Sequence, residues 1–143
     1  MRLARVPAGA PRGDMTGASH THRVVIIEDD SDLRDAMLAF VAAQGWKVSG
    51  AADGHEALAH LARGEVPCVI FLDLMMPGMD GWRFMDELRV RPNLHAIPIV
   101  VISGYGTLDG VRSLGAVDYL RKPFHITRVV EVVEALCRAG VQP

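Results

Sequence analysis

Short runs of β-branched and other apolar residues recur along the chain, each followed by a polar or turn-forming segment. The runs at 24–27, 68–72 and 97–102 are apolar at nearly every position, which indicates strands buried on both faces, as in a parallel sheet. Two shorter runs, at 46–51 and 117–120, indicate two further strands. The pattern therefore predicts five strands.

Between these runs, apolar residues return every three or four positions, which is the spacing of one face of an α-helix. In the first such segment, either Asp30 or Ser31 can cap the amino end. Glycines weaken and end the fourth segment, so this helix is expected to be short. The predicted helices cover 31–44, 55–63, a third segment marked by Trp82, Met85 and Leu88, then 108–114 and 126–138.

Five strands that alternate with five helices predict an α/β fold, a doubly wound five-stranded parallel sheet with helices on both faces. Residues 1–22 are rich in Ala, Gly, Pro and Arg without an apolar period, which predicts a disordered N-terminal leader. Either Met1 or Met15 could be the start of translation. The folded domain is expected over residues 23–140, with no effector domain.

Composition and charge exclude several function classes. The chain of 143 residues has a formal net charge of −2, which gives no reason to expect nucleic acid as a partner. No apolar run approaches the ~18 residues of a membrane span, and the amino end lacks the apolar middle of a secretion signal, so a cytoplasmic location is expected. Cys68 and Cys137 have neither metal-ligand nor CxxC spacing, and buried reduced thiols are expected.

Polar side chains follow four of the five predicted strands. Glu28 and Asp29 follow the first strand, Asp73 the third, Ser103 the fourth and Lys122 the fifth. Because parallel strands that are linked by crossovers end at the same edge of a sheet, these five residues are expected to converge there. This edge is also where open α/β sheets bind their ligands.

The predicted cluster has a definite chemistry. Two carboxylates ~5 Å apart repel by roughly 3 kcal/mol at an effective dielectric near 20, so a hard cation or the lysine must offset their charge. Mg²⁺ is the expected cofactor, since it binds through one or two carboxylates and retains waters and phosphate oxygens. A carboxylate placed there can act as a nucleophile toward phosphorus. Taken singly, each residue is explained as a turn former, a helix cap or a surface lysine, and only their joint occurrence favours a site.

The motifs that carry these residues resemble the receiver domain of two-component response regulators, of the single-domain, chemotaxis-regulator-like kind. The similarity covers about Arg23 to Arg138 and depends on IIEDD, FLDLMMPGMDG, VISG and YLRKPF. It implies a flavodoxin-like fold with strand order 2-1-3-4-5. It also implies phosphoryl transfer to this chain from a histidine kinase or a histidine phosphotransfer protein, with an unidentified protein as downstream partner.

The resemblance also implies a role for each matching residue. Asp73 would accept the phosphoryl group, and Ser103 and Lys122 would hold the phosphoryl oxygens. Ser103 and Tyr119 would form the conformational switch, and Lys122–Pro123 would be a cis peptide bond. The implied Mg²⁺ ligands are Asp29, Asp73, Glu28 largely through water, and the backbone carbonyl of Met75.

Two departures from the family pattern affect these expectations. The 19 residues from Ser103 to Lys122 are fewer than in many receivers by nearly one helical turn, which shortens the fourth helix and leaves open whether Tyr119 still couples to the site. Met75 and Tyr105 stand where receiver side chains help to position the attacking water. Neither carries a carboxylate or an amide, so slow autodephosphorylation is predicted.

Two alternatives remain at this point. The chain could be a receiver-like interaction module that does not use phosphorylation, an interpretation favoured by the short fourth helix. It could also be a phosphohydrolase with Asp73 as nucleophile, but Met75 stands where such enzymes want a second aspartate and cannot transfer a proton. We prefer the receiver interpretation over both alternatives. It describes a stand-alone receiver that catalyses only its own phosphorylation and dephosphorylation.

Overall fold

A computed structural model describes residues 22–64, 66–75 and 80–140 of the chain. Five parallel strands form one sheet in the order β2-β1-β3-β4-β5, and five helices alternate with them along the chain. The strands are β1 Arg23–Ile27, β2 Lys47–Ala51, β3 Val69–Asp73, β4 Ile99–Ser103 and β5 Asp118–Arg121. The helices are α1 Ser31–Ala42, α2 Gly54–Arg63, α3 Gly81–Arg89, α4 Leu108–Ser113 and α5 Thr127–Gly140.

The predicted α/β fold, its parallel sheet and the order of its elements are confirmed. Most boundaries differ by one or two residues from the prediction. Strand β3 includes Asp73 rather than ending at Leu72, and β4 begins at Ile99, directly after Pro98, which has no N–H to donate to a neighbouring strand. The predicted leader lies outside the described residues except for His22, which contacts the ring of Trp46 with a centroid separation of 4.9 Å.

The hydrophobic core has two layers, one on each face of the sheet. Successive side chains of a strand point to opposite faces, so Ile26 and Ile27 enter different layers. One layer lies beneath α2 and α3 and contains Phe84 and Leu88. The other lies beneath α1 and α5 and contains Met37 and Val133. Every residue of β3 is buried, as predicted for a central strand.

Side-chain caps mark the amino ends of the helices that begin near this edge of the sheet. The Asp30 side chain accepts hydrogen bonds from the backbone N–H groups of Asp32 and Leu33, so Asp30 is the cap of α1. Asp53, Asp80 and Thr107 cap α2, α3 and α4 in the same way. Each cap directs the chain from a strand end into the next helix, close to the edge where the polar residues converge.

Helix α4 spans only Leu108–Ser113, so the expected shortening is confirmed. Thr107 caps its amino end through the N–H of Gly110 at 3.1 Å. Gly115, with φ 105°, follows the helix in a conformation that other residues rarely adopt. The connection between β4 and β5 is therefore compact.

The expectation of reduced thiols is wrong for this structure. Cys68, just before β3, and Cys137, in α5, form a disulfide with a Cα–Cα distance of 5.4 Å across a sequence separation of 69 residues. This distance lies within the ordinary range for a disulfide. The pairing depends on how α5 lies against the sheet, and no local spacing of the two cysteines indicates it.

Within the described residues, no helix is long and apolar enough to cross a membrane.

Candidate functional site

Three carboxylates meet at the carboxyl end of the two central strands. Strands β1 and β3 are paired so that Ile27 lies opposite Leu72, which places Glu28 beside Asp73. Glu28 and Asp73 are buried and Asp29 is exposed, and one oxygen from each lies within 4.8 Å of the others. The predicted convergence of these three residues therefore occurs.

Lys122 supplies the opposite charge. Its Nζ lies 2.9 Å from Glu28 Oε1 and 3.5 Å from Asp73 Oδ2. The Lys122–Pro123 peptide bond is cis, as the family resemblance implied. The backbone N–H of Lys122 donates to the carbonyl oxygen of Ser103 at 2.8 Å, which joins the end of β5 to the end of β4.

Backbone groups hold the two buried carboxylates in place. The N–H of Met75 donates to Asp73 Oδ1 at 3.0 Å, and the N–H of Asp30 donates to Glu28 Oε2 at 3.1 Å. Arg34, on α1, donates to the backbone carbonyl of Glu28 at 2.7 Å. The contribution of Arg34 was not predicted, because it depends on the angle at which α1 leaves the site.

Burial raises the pKa of Asp73 from 3.8 to about 7. The hydrogen bond from Met75 and the charge of Lys122 oppose the shift, whereas the charge of Glu28 adds to it. For Lys122, burial alone would lower the pKa. The hydrogen bond and the charge of Glu28, together with Asp73, outweigh burial and raise the pKa of Lys122 above its usual value. The lysine is therefore a permanent cation beside a carboxyl group that titrates near neutral pH.

Ser103 and Tyr119 belong to a second group of contacts beside the carboxylates. Ser103 is buried, and its Oγ accepts a hydrogen bond from the N–H of Tyr105 at 3.0 Å. The Tyr119 hydroxyl donates to the Tyr105 carbonyl at 2.9 Å and lies 3.3 Å from the carbonyls of Ser103 and Gly106. The tyrosine of β5 thus contacts the loop that follows β4.

Two exposed apolar side chains flank the site. Met75 is 58% exposed and Tyr105 is 75% exposed. Both line an apolar cavity of ≈ 250 Å³ next to Ser103, together with Trp82 and Val111. This cavity was not predicted, since it forms only where the β4–α4 loop lies against the amino end of α3. Residues 76–79 of the FLDLMMPGMDG motif fall outside the described residues.

The donor set fits a hard divalent cation. All side-chain donors of the acidic cluster are carboxylate oxygens, and one of the three carboxylates faces solvent, from which waters can complete a coordination shell. A cation would also favour the ionised form of Asp73, against the effect of burial. The residues present are therefore compatible with the Mg²⁺ expected from the sequence.

The sheet order and the buried acidic cluster with its lysine define the class of the chain as a doubly wound α/β domain with a charged site at the carboxyl end of its sheet. The family model of the response regulator receiver domain matches residues 24–134. The transcriptional regulatory protein PrrA of Mycobacterium leprae is 37% identical over 127 residues, which cover 86% of this chain and 52% of PrrA.

Solved structures agree with this match. The receiver domain of the Francisella response regulator 1452 superposes with a TM-score of 0.76 at 26% identity, covering 84% of this chain and 99% of that chain. The chemotaxis protein CheY4 of Vibrio cholerae gives 0.75 at 25% identity, covering 82% and 99%.

This chain belongs to the response regulator receiver domain family. Members of the family are signalling modules of two-component systems, and receiver domains generally bind Mg²⁺ at an acidic pocket. The chain spans about a quarter to a half of the length of the curated relatives it matches.

Proposed function

We propose that this chain accepts a phosphoryl group on Asp73, in a Mg²⁺-dependent reaction, from a histidine kinase or a histidine phosphotransfer protein. A protein partner then reads the resulting change in conformation. The chemistry is limited to the chain's own aspartyl phosphorylation and dephosphorylation, so the chain is a signalling module rather than an enzyme with a separate substrate. We also propose a cytoplasmic location, where such kinases present their phosphohistidine.

One observation carries the proposal: the Asp73 carboxylate is buried beside Glu28 and within ion-pair distance of the ammonium of Lys122. An oxygen of Asp73 would form a bond to phosphorus while the bond from phosphorus to the histidine nitrogen breaks, leaving the imidazole as the departing group. Burial keeps competing water away from the carboxylate. The nearby lysine offsets the charge of the incoming phosphoryl oxygens.

Glu28, Asp29, Asp73 and the backbone carbonyl of Met75 are the groups proposed to hold Mg²⁺. When bound, the ion would neutralise charge on the phosphoryl oxygens and keep Asp73 ionised. Among these residues, Asp29 is the exposed carboxylate. It can therefore bind the ion without the desolvation cost that the two buried carboxylates carry.

Ser103 and Tyr119 are the proposed switch. Ser103 Oγ can donate a hydrogen bond to a phosphoryl oxygen, but it accepts one from Tyr105 in the unphosphorylated chain. A shift of Ser103 toward a phosphoryl group would alter the loop carbonyls to which the Tyr119 hydroxyl is bonded. The proposed signal is therefore a rearrangement of the loop between β4 and α4.

The test of the proposal is incubation of the purified chain with acetyl phosphate and Mg²⁺, followed by intact mass measurement. We expect a gain of one phosphoryl group that is absent in Asp73→Asn and without Mg²⁺. Asp86→Asn is the matched control, because Asp86 is an exposed carboxylate of α3, and this variant should be modified like the wild type. If the wild type stays unmodified, the chain is an interaction module that does not use phosphorylation.

A further inference from the structure

A second cluster of metal-ligating side chains lies at the opposite end of the sheet. His22 precedes β1, Cys68 precedes β3 and Cys137 lies in α5. One ligand atom from each lies within 4.8 Å of the others. Because β3 runs through five residues from Val69 to Asp73 at ~3.3 Å per residue, the cluster is about 17 Å from the phosphoryl-accepting carboxylate. The two clusters are therefore separate sites.

The backbone holds this cluster in position from two strands. The N–H of Cys68 donates to the carbonyl of Arg23 at 2.9 Å, and the N–H of Lys47 donates to the carbonyl of His22 at 3.0 Å. The ring of Trp46 meets the ring of His22 edge-on. His22 and Cys68 thus lie directly before two neighbouring strands, β1 and β3, that are hydrogen-bonded to each other. The imidazole and the sulfur are therefore close together before a metal ion binds.

We propose that Cys68, Cys137 and His22 form a Zn²⁺ site when the disulfide between the two cysteines is reduced. Two thiolates and one imidazole are ligands that Zn²⁺ prefers, whereas Mg²⁺ prefers oxygen. Ligands of one tetrahedral zinc ion lie roughly 3.5–3.8 Å apart, given bonds of about 2.0–2.3 Å. After reduction the two sulfurs must move apart to reach that spacing, and all three ligand atoms already lie within 4.8 Å of one another. Water can take the fourth position.

The site would exist in two exclusive states. A dithiol reductant transfers two electrons and two protons to the disulfide, leaving two thiols, and the reductant closes its own disulfide. Binding of Zn²⁺ to the two thiols then releases their two protons. Reoxidation by a second disulfide, which accepts the two electrons and leaves as a dithiol, rejoins the two sulfurs. This step removes two of the three ligands and so must release the ion. A reducing compartment favours the metal-bound state.

The protein shields the three side chains of this cluster partly or fully from solvent. Cys137 is fully buried, whereas Cys68 and His22 are half-buried. The apolar side chains around Cys137 belong to the layer beneath α1 and α5, so the ion would be shielded on that side and open toward solvent on the other. An ion or a disulfide at this place ties α5 to the central strands in either state.

Titration with Co²⁺ tests the proposal, because thiolate ligands give cobalt a strong near-ultraviolet charge-transfer band that oxygen ligands do not. The full chain, reduced with a phosphine and then desalted without oxygen, is titrated in saturating Mg²⁺ to fill the acidic pocket. We expect the band to saturate at one equivalent of Co²⁺, to disappear on addition of Zn²⁺, and to be absent in the oxidised chain. Absence of the band in the reduced chain would overturn the proposal.

The histidine ligand has its own matched control. His22→Ala should weaken Zn²⁺ binding by at least about tenfold, whereas His95→Ala, which removes an exposed histidine elsewhere, should not change it. Equal Zn²⁺ affinities of the two variants would show that His22 is not a ligand.

A measurement on the unaltered chain avoids any dependence on variant folding. Zn²⁺ should slow alkylation of both thiols of the reduced chain by iodoacetamide, as read by intact mass, and Mg²⁺ should not. Alkylation at the same rate with and without Zn²⁺ would overturn the proposal. Neither assay involves phosphorylation, so the outcome is independent of the function proposed for Asp73.

Discussion

At the scale of single residues, the site combines one carboxyl group that is costly to ionise with one cation that lowers this cost. Asp73 and Glu28 are both buried, and Lys122 lies between them within ion-pair distance. Removing solvent from two carboxylates is unfavourable unless their charge is compensated. The stability of the domain and its chemistry therefore depend on the same few atoms.

The raised pKa of Asp73 predicts a specific pH dependence of stability in the absence of metal. The unfolded chain ionises Asp73 near pH 4, whereas the folded chain does so near pH 7. Between these values the folded state binds more protons, so the free energy of unfolding should fall as pH rises through this window. The expected loss is on the order of 2–4 kcal/mol, since one pKa unit corresponds to ~1.4 kcal/mol.

Urea unfolding in EDTA at a series of pH values measures this dependence. In Asp73→Asn, the free energy of unfolding should not fall with pH through the ionisation of residue 73. In the wild type, saturating Mg²⁺ should make the fall smaller, because the ion favours the carboxylate. Parallel curves for wild type and Asp73→Asn would contradict the assignment of the raised pKa.

Lys122 is expected to matter for stability as well as for phosphoryl binding. Lys122→Ala leaves Glu28 and Asp73 buried without a cation, and we expect a loss of about 2–4 kcal/mol in EDTA, with partial recovery in Mg²⁺. Arg128→Ala is the matched control, since Arg128 pairs with Glu131 on the exposed face of α5 and its loss should cost less than about 1 kcal/mol. Similar losses in both variants by urea unfolding would argue against this role.

The side chains of Met75 and Tyr105 predict a long-lived phosphorylated state. Neither side chain offers a carboxylate or an amide that could orient water toward phosphorus, and both are exposed at the edge of the site. The phosphorylated chain in Mg²⁺ should decay over minutes or longer by intact mass, and Met75→Asn should shorten the half-life. A wild-type half-life of seconds would refute the prediction.

At the scale of elements, the connections above the sheet determine the geometry of the site. Helix α3 begins at Gly81, whose N–H donates to the carbonyl of Leu74 at 3.0 Å. A Cβ on Gly81 would lie 2.6 Å from Leu74 Cα and 3.0 Å from the Asp73 carbonyl. The start of α3 therefore lies directly against the end of β3, and only glycine fits at this contact.

Substitution of this glycine should destabilise the domain through the β3–α3 contact. Gly81→Ala requires a backbone shift, and we expect a loss of about 1–3 kcal/mol in urea unfolding. Gly104→Ala is the control, because a Cβ at Gly104 meets nothing within 4 Å, and its effect should be within about 0.5 kcal/mol. A neutral Gly81→Ala would mean that the loop before α3 adjusts easily.

At the scale of the whole molecule, two clusters of possible metal ligands lie at opposite ends of one sheet. Oxygen ligands and a lysine occupy the carboxyl end, and two cysteines and a histidine occupy the amino end. The disulfide between Cys68 and Cys137 links the centre of the sheet to α5 across 69 residues. It is thus a long-range constraint between the segment before β3 and the last helix.

Reduction of the disulfide should lower stability in the absence of zinc. A disulfide that closes a loop of this length lowers the entropy of the unfolded chain. In the chain-entropy model this raises the free energy of unfolding by about 4 kcal/mol, and measured increases are typically about 2–4 kcal/mol. Urea unfolding with and without a phosphine should show this loss in the wild type. The free energy of unfolding of the double variant Cys68→Ser, Cys137→Ser should not change with the phosphine. If that of the wild type does not change either, the disulfide does not stabilise the domain.

The sequence by itself determined the elements, their order and the residues at the strand ends. Apolar runs such as 68–72 are long enough to be recognised as buried strands. Because parallel strands linked by crossovers end at a common edge, the meeting of Glu28, Asp29 and Asp73 could be predicted from this pattern. Lys122 could be expected at that edge for the same reason. These predictions depend on local patterns that any fold with this alternation would preserve.

Only the tertiary structure decided which groups are in contact and how strongly. The pairing of Cys68 with Cys137, the contact of Arg34 with the Glu28 carbonyl, and the burial that raises the pKa of Asp73 all depend on the distances between elements. Helices approach a sheet at angles set by side-chain packing over the whole core, which no local pattern encodes. For that physical reason, the acidic edge was predictable and the sulfur cluster at the other end was not.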